Sequence, residues 1–488
     1  MAEPRGGEVA RSRRSWLWRA ATIAAVTLTA AAPLVAPAGA SAAPHRTDAS
    51  CPSATICVVA DAGSVLGPQT FPYQGLLNGA IDPPYPSGAR VAALDPTIWR
   101  TGFGGNNETE ADKYAAQLEW VMSDSWLNGP NGDTPPWDNW PLWTSFVKSQ
   151  VEDDPASWYD PVNEEFNGRY DSTITPALLD ETEIRAELAI RAVDPNAKIV
   201  APSEESYSAS DLQSFLQAIS QVNQTRQQAG KAPVVFNAIS WHELGTVPDQ
   251  VVSDVAGFNQ LLDSIDLYGM PRPSVQINEF GNPSTAHIPG SFVAWASAFQ
   301  SASVANAGLS CWSYAFNDDC NSGLDGLLET DGQTTYPDYW AHWLYARMDG
   351  SDIATSVAQA GQSDPPSVTA LATRDDATRS VDVLLGQLDT GAVWPATVTL
   401  EVDDFPFLRD GTVTATVLHV PNYWNATTGT DQPLAAPMRV YDGPVAVRDG
   451  VVHLSTAQLP PQEFQAGDVF AVRLSAGGAA AGRTGLTP

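Results

Sequence analysis

The sequence predicts an α/β chain, a (β/α)8 barrel followed by a C-terminal β-sandwich. Three observations carry this. Short apolar runs alternate with helical patterns from Thr55 to Met348, as βα units around a parallel sheet require. Eight such units over roughly 300 residues is barrel size. After about Gly350 the helical periodicity stops, and short alternating segments separated by Gly, Asp and Pro take over.

The chain opens with a targeting segment. Arg11–Arg19 is basic, Ala20–Val35 is small and apolar, and Ala40-Ser41-Ala42 fits a cleavage site, so residues 1–42 are expected to be a signal peptide. Ser12-Arg13-Arg14-Ser15-Trp16-Leu17 has the form of a twin-arginine export signal, with an ordinary secretory signal as the alternative. The apolar run is too short and Ala-rich for a membrane span, and no other stretch approaches one. Residues 43–54 are then the mature N-terminal segment, 55–349 the barrel, 350–475 the sandwich and 476–488 a disordered Gly/Ala-rich tail. Export makes disulfides accessible, and the four cysteines fall into two local pairs, Cys51–Cys57 and Cys311–Cys320.

Each barrel strand has its own segment. Leu76–Asn78, Thr97–Gly102 and Gln117–Ser123 read as strands 1 to 3, with a Trp- and Pro-rich loop, Asp124–Trp140, after the third. A helix over Pro141–Val151 starts at Pro. Strand 4 follows in Trp158-Tyr159-Asp160-Pro161-Val162-Asn163-Glu164. Helices over Thr175–Val193, Ser208–Gly230, Val251–Tyr268, Ile288–Ala307 and Tyr336–Met348 alternate with strands at Lys198–Ala201, Asn237–Trp241, Val275–Glu279 and Leu309–Tyr314. Sandwich strands are expected at Ser367–Thr373, Ser380–Leu385, Ala396–Val402, Thr412–His419, Met438–Tyr441, Val451–Leu454 and Val469–Leu474.

Charge narrows the partners. The net charge is −31, and because residues 1–42 hold five Arg and two Glu, the mature chain carries −34. That disfavours nucleic acid, anionic membranes and polyanionic glycans. The chain also has no P-loop, no G-x-G-x-x-G, no G-x-S-x-G and no Cys/His zinc pattern. His242-Glu243 begins a metalloprotease-like motif, but Thr246 stands where the second His belongs.

The residues that point to chemistry are Glu164 and Glu279, each after an Asn at the C-terminal end of an apolar strand. Two such carboxylates are what glycoside hydrolysis needs, one to protonate the leaving oxygen and one to attack the sugar carbon or activate water. Glu165 competes with Glu164, but neighbours along a strand face opposite ways, and Asn163 beside Glu164 offers an amide to a sugar hydroxyl. Arg100 ends strand 2 and would hold a carboxylate ionised. His242 follows strand 6. Twelve of the 16 Trp fall in the barrel segment, where aromatic faces suit sugar rings. Trp126, Trp137, Trp140 and Trp143 form a candidate subsite wall, and Trp312 a candidate platform; packing in the core is the competing role for each.

At these motifs the chain resembles the retaining glycosidases of clan A, and most closely glycoside hydrolase family 39. The likeness spans roughly Leu76 to Leu474. It rests on Leu94-Asp95-Pro96-Thr97-Ile98-Trp99-Arg100, Asp160-Pro161-Val162-Asn163-Glu164, Asp194–Pro202, Ala238-Ile239-Ser240-Trp241-His242 and Ile277-Asn278-Glu279-Phe280-Gly281. Two segments depart from the family pattern. Glu165 stands where Pro usually follows the acid/base, and the nucleophile strand reads Asn278-Glu279-Phe280 where T-E-W or T-E-Y is usual. The resemblance implies Glu164 as acid/base, Glu279 as nucleophile, Arg100, Asn163 and His242 in the active site, retention of anomeric configuration and no cofactor; no metal is expected from the Cys and His spacing, and Trp312 joins the sugar-binding candidates by its place at the end of strand 8. The resemblance also implies a carbohydrate substrate, among xylosides, arabinosides and iduronides. A non-catalytic glycan-binding barrel is the alternative from another class.

Overall fold

The structure is a computed structural model that describes residues 55–80, 83, 85–102, 107–153, 155–310, 322–359, 368–388, 397–425, 430–458 and 465–477. The signal segment, Cys51, Cys311, Cys320 and Trp312 lie outside the described residues, as does the tail from 478 onward. No described helix is long and apolar enough to cross a membrane.

The first strand, β1 (Thr55–Pro68), lies outside the barrel. Then come β2 (Gly75–Leu77), α1 (Gly88–Leu94), β3 (Ile98–Thr101), α2 (Asn107–Lys113), β4 (Gln117–Val121), α3 (Met122–Asn128), α4 (Trp140–Asp153) and β5 (Trp158–Asp160). They are followed by the single turn α5 (Glu164–Asn167), α6 (Pro176–Val193), β6 (Lys198–Ile199), α7 (Ala209–Gln228), β7 (Ala238–Ser240), β8 (Glu243–Leu244), α8 (Pro248–Asp263), β9 (Ser274–Gly281), α9 (Pro289–Ala302), β10 (Asn306–Leu309) and α10 (Pro337–Tyr345). Proline at the first turn opens α6, α8, α9 and α10, where its fixed φ suits the helix and its missing N–H costs nothing.

Eight parallel strands run in the order β6-β5-β4-β3-β2-β10-β9-β7. A parallel bridge from Val200 to Ala238 links the two ends, so the sheet is a nearly closed barrel, as expected. The helices α1, α2 and α3 and the turn α5 were not expected; α3 begins at Met122, inside the segment read as strand 3, and runs into the segment read as a loop. The last barrel strand begins at Asn306 rather than at Leu309, because an Asn-Ala-Gly run carries little β signal of its own.

The second β unit holds β11 (Ser351–Gln359), β12 (Val368–Asp375), β13 (Ser380–Gln387), β14 (Thr397–Asp403), β15 (Gly411–Val420), β16 (Met438–Arg448), β17 (Val451–Ser455) and β18 (Val469–Ser475). Its hydrogen bonding closes in one ring, β1-β11-β12-β13-β18-β15-β16-β17-β14. Two corrections follow. Thr55–Pro68, read as the start of the barrel, pairs antiparallel with β11 and parallel with β14. The expected two-sheet sandwich is a continuous nine-strand ring instead. The same strand explains both, because β1 fills the gap between β11 and β14 and leaves neither as an open edge.

A second core of Ile56, Val58, Val383, Leu400, Val417 and Phe470 fills this ring. The ring packs on the barrel through α9. At Gly290 an added Cβ would lie 1.9 Å from the Gln387 carbonyl oxygen, so only glycine lets the backbones approach this closely.

Candidate active site

The C-terminal ends of the barrel strands converge on Arg100. It ends β3, is 2% exposed, and reaches four side chains. Nη1 lies 2.5 Å from Glu279 Oε1, Nη2 donates to Asp160 Oδ2 at 2.6 Å and to Asn163 Oδ1 at 2.7 Å, and Nε lies 2.9 Å from Glu119 Oε1. The Glu119 contact follows from register, because Arg100 pairs with Glu119 across β3–β4.

Strand β9 supplies the other wall. Gln276 and Asn278 share one face by strand periodicity. Asn278 Nδ2 lies 3.1 Å from both Glu119 Oε1 and Asp160 Oδ2 and 2.9 Å from Ser203 Oγ. Gln276 donates to Glu119. Strict alternation would then send Glu279 outward. A bulge prevents that: Ile277 pairs with Ala307 and Phe280 with Leu309, so three steps on β9 match two on β10. The extra residue lets Glu279 face inward beside Asn278, where Ser310 Oγ also donates to it at 3.2 Å.

Glu164 arrives by a different device. Glu164, Glu165, Phe166 and Asn167 all have positive φ, at 43°, 46°, 64° and 52°, so α5 is a left-handed turn. Such backbone costs about 1–3 kcal/mol per residue unless its surroundings over-determine it. Phe166 provides the anchor, since it is fully buried and packs against Trp137, Trp143 and Tyr170. The turn separates the two adjacent glutamates. Glu164 Oε1 meets His242 Nδ1 at 2.9 Å, whereas Glu165 lies with Glu204 on the wall of a separate cavity. Glu164 is thus the one that meets His242, by way of the left-handed turn and not by strand alternation.

His242 stands between the two candidate carboxyls, with Nε2 3.9 Å from Glu279 Oε1. Donor atoms of Glu164, His242 and Glu279 all lie within 4.8 Å of one another. That spacing would also suit one metal ion. The Arg100 guanidinium, 2.5 Å from Glu279, disfavours a second cation there.

The buried charges do not balance, because one guanidinium faces Glu119, Asp160 and Glu279. Burial alone would lower the Arg100 pKa, but the charges of Asp160, Glu279 and Glu119 drive it above its ordinary value. Burial pushes Glu119 up to about 7 against the pull of Arg100, and raises Asp160 as well. Asp124, just after β4, is pushed to about 7 by burial, with Glu279 adding to it and Arg100 opposing. Glu164 goes the other way. Burial raises it, but the His242 hydrogen bond and charge, with Arg100 behind, hold it below its ordinary value.

These shifts fix how stability varies with pH. Glu119, Asp124 and Glu243 keep protons up to about 7, and Glu204 up to about 9, which the unfolded chain would release near the ordinary carboxylate range. The folded state then binds more protons, so stability falls as pH rises through that window. The melting temperature is expected to be highest near about pH 5 and lower by roughly 5 °C or more at about pH 8. High salt screens surface repulsion among the excess acidic residues but not the buried part. A profile flat from pH 5 to 8 in high salt would contradict the assignment.

Of the expected site residues, the structure brings together Arg100, Asn163, Glu164, His242 and Glu279. Asn163 is committed to Arg100 through Oδ1, and its Nδ2 lies 3.3 Å from Asn167 Oδ1. Trp312 lies outside the described residues. Of the four tryptophans expected as a subsite wall, Trp126 and Trp143 are buried and pack edge-to-face at 5.1 Å with Phe146 against them, so they belong to the core, while Trp137 and Trp140 are partly buried and pack against that core. Sequence reasoning gave no role to Glu119, Asp124, Ser203, Asn278 and Ser310, and quoted Asp160 only within a motif. A signal existed for some. Glu119 is a lone charge within Leu118-Glu119-Trp120-Val121, and Gln276 and Asn278 alternate with apolar residues on β9.

No family model matches the chain, and no curated protein matches it. Solved structures do match its fold. N2152 from Neocallimastix frontalis has a TM-score of 0.67 at 18% identity, covering 87% of this chain and 100% of that one. The bacterial orthologue of human α-L-iduronidase has a TM-score of 0.62 at 13% identity, covering 88% and 85%. The GH39 enzyme from Xanthomonas axonopodis pv. citri has a TM-score of 0.56 at 14% identity, covering 86% and 97%. The likeness drawn from the motifs is therefore matched at the level of fold, over both β units. A barrel with paired glutamates at the C-terminal ends of its strands is the class that fold and site define.

Proposed function

We propose that this chain is a secreted, retaining glycoside hydrolase that cleaves O-glycosidic bonds of plant or microbial glycans. The observation that carries the reading is the 4.8 Å limit on the distance between carboxyl oxygens of Glu164 and Glu279 across His242. Retaining enzymes hold their carboxyls about 5–5.5 Å apart, whereas inverting ones leave room for a water at about 6.5–9.5 Å.

Glu279 is the nucleophile. Arg100 and Ser310 hold its oxygens and so aim it. It attacks the anomeric carbon as the glycosidic C–O bond breaks, and Glu164 delivers its proton to the leaving oxygen. Glu164 then takes a proton from water, whose oxygen attacks the same carbon and releases Glu279. Because His242 and Arg100 hold the Glu164 pKa down, mildly acid conditions favour the protonated acid this cycle starts from. No step calls for a cofactor. A xyloside- or arabinoside-like glycone is favoured, supported by a β-xylosidase from Caulobacter crescentus and an α-L-arabinofuranosidase from Thermotoga maritima among the proteins of similar fold. The basic and apolar N-terminus supports export, and we include closure of Cys51–Cys57 and Cys311–Cys320 in this reading.

The test is hydrolysis by the mature chain of aryl xyloside, arabinofuranoside, arabinopyranoside, galactoside, glucoside and iduronide, with the first-formed anomer followed by NMR. Turnover of a pentoside with retained configuration is expected. Inversion would end the double-displacement mechanism. A folded protein that binds glycans yet turns over none of the six would be a binding module.

A further inference from the structure

Asp124 is a buried carboxyl at the barrel mouth that the proposed reaction leaves without a task. It follows β4 in the first turn of α3 and is 6% exposed. Gly102, just after β3, lets that turn come close. An added Cβ there would lie 2.5 Å from Asp124 Cβ and 2.4 Å from the Val121 carbonyl oxygen.

A run of contacts ties Asp124 to both candidate catalytic groups. Asn167, in the turn that carries Glu164, donates through Nδ2 to Asp124 Oδ1 at 3.3 Å. Asn163 Nδ2 donates to Asn167 Oδ1 at 3.3 Å, and Arg100 joins Asn163 to Glu279. The neighbouring Ser123 Oγ accepts from the Asn163 backbone N–H at 2.9 Å. The charges of Arg100, Glu279 and Asp160 all reach the Asp124 carboxyl. The glycone lies in this space on the proposed mechanism, because Glu279 attacks its anomeric carbon.

Asp124 has no strong partner there. Glu119 and Asp160 are buried too, but Arg100 holds them at 2.9 and 2.6 Å. Among the described residues the Asp124 carboxyl takes one hydrogen bond, the long one from the exposed Asn167. No backbone N–H of α3 donates to it, so it does not cap that helix. Its Oδ2 takes no hydrogen bond among the described residues and is not sealed from solvent. Buried carboxyls are ordinarily paired, because leaving one without donors is costly. A donor is missing at the wall of the space that the glycone would fill.

We propose that Asp124 Oδ2 binds one hydroxyl of the glycone, which makes Asp124 a specificity-determining residue of the candidate active site. The assignment rests on the glycoside hydrolase reading. A hydroxyl both donates and accepts, so it satisfies this carboxyl with or without a proton. The glycone is then selected by a hydroxyl at one ring position. A sugar lacking it would leave the carboxyl unmet, the case in which discrimination is strongest.

The test uses the aryl glycoside of the panel that the parent turns over best, together with its monodeoxy analogues, and compares the parent with Asp124→Ala and Asp124→Asn. Asp124→Ala should lower kcat/KM on the intact glycoside by on the order of 10²-fold. On one monodeoxy analogue it should cost less than about threefold, since hydroxyl and carboxyl are two halves of one contact. Asp124→Asn keeps an acceptor and should stay within about tenfold of the parent, with the same choice among analogues. Circular dichroism and melting curves check each fold, and Asp124→Asn guards against a folding failure of Asp124→Ala. A merely structural Asp124 would lower all rates alike. Equal losses on the intact glycoside and every analogue, or no loss at all, would overturn this assignment while leaving the glycosidase reading in place. A parent that turns over none of the panel would overturn both.

Discussion

Arg100→Met is expected to destabilise the protein by about 3–5 kcal/mol, the size of effect seen when one partner of a buried ion pair is removed. The guanidinium is the counter-charge to Glu119, Asp160 and Glu279, and it also donates to Asn163. Methionine fills much of the volume but leaves those carboxyls facing one another in a dry interior. They would respond by taking up protons, so the deficit should be largest near pH 8 and shrink towards pH 5. Arg100→Lys should recover only part of the loss, because an ammonium on a flexible stem cannot reproduce a planar fork that reaches four partners. Urea unfolding at both pH values measures this. A deficit of about 1 kcal/mol or less at pH 8 would mean that the cluster is not held by Arg100.

The second large effect is on turnover. On the proposed mechanism, Glu279→Gln removes the attacking oxygen and should lower kcat by on the order of 10⁴-fold or more, with melting temperature little changed. Glu164→Gln should cost about 10²–10⁴-fold, and the loss should depend on the leaving group. An activated aryl leaving group departs without a proton, so bond cleavage survives and the second step becomes limiting. A poor leaving group loses the first step as well. Equal losses on both kinds of substrate would remove Glu164 from the acid role. Glu165→Gln is the matched control, since that side chain faces Glu204 rather than Glu279. Should Glu165→Gln match Glu164→Gln in effect, the two glutamates would have to exchange roles.

Much of the barrel could be read from local pattern. Helical patterns over Thr175–Val193, Val251–Tyr268, Ile288–Ala307 and Tyr336–Met348, and apolar runs at Ile98, Ala238 and Val275, place the units in order. The two glutamates and Arg100 stood out because a charge at the end of an apolar strand is conspicuous. The second β unit was less accessible. Its seven expected strands are present, yet Thr55–Pro68 joins them from some 300 residues away, and no local pattern encodes a partner at that distance.

The site divides in the same way. Composition, strand ends and spacing determined the fold class and which residues carry charge at the barrel mouth, because burial periodicity and residue chemistry are local properties. Direction was decided by tertiary structure. The bulge opposite Ala307 and Leu309 turns Glu279 inward beside Asn278, and the buried Phe166 holds the left-handed turn that parts Glu164 from Glu165. The charge imbalance around Arg100 likewise exists only once distant strands and helices are packed together. A side chain's pKa and its partners depend on what surrounds it in space, and in this chain those surroundings come from segments far apart in sequence.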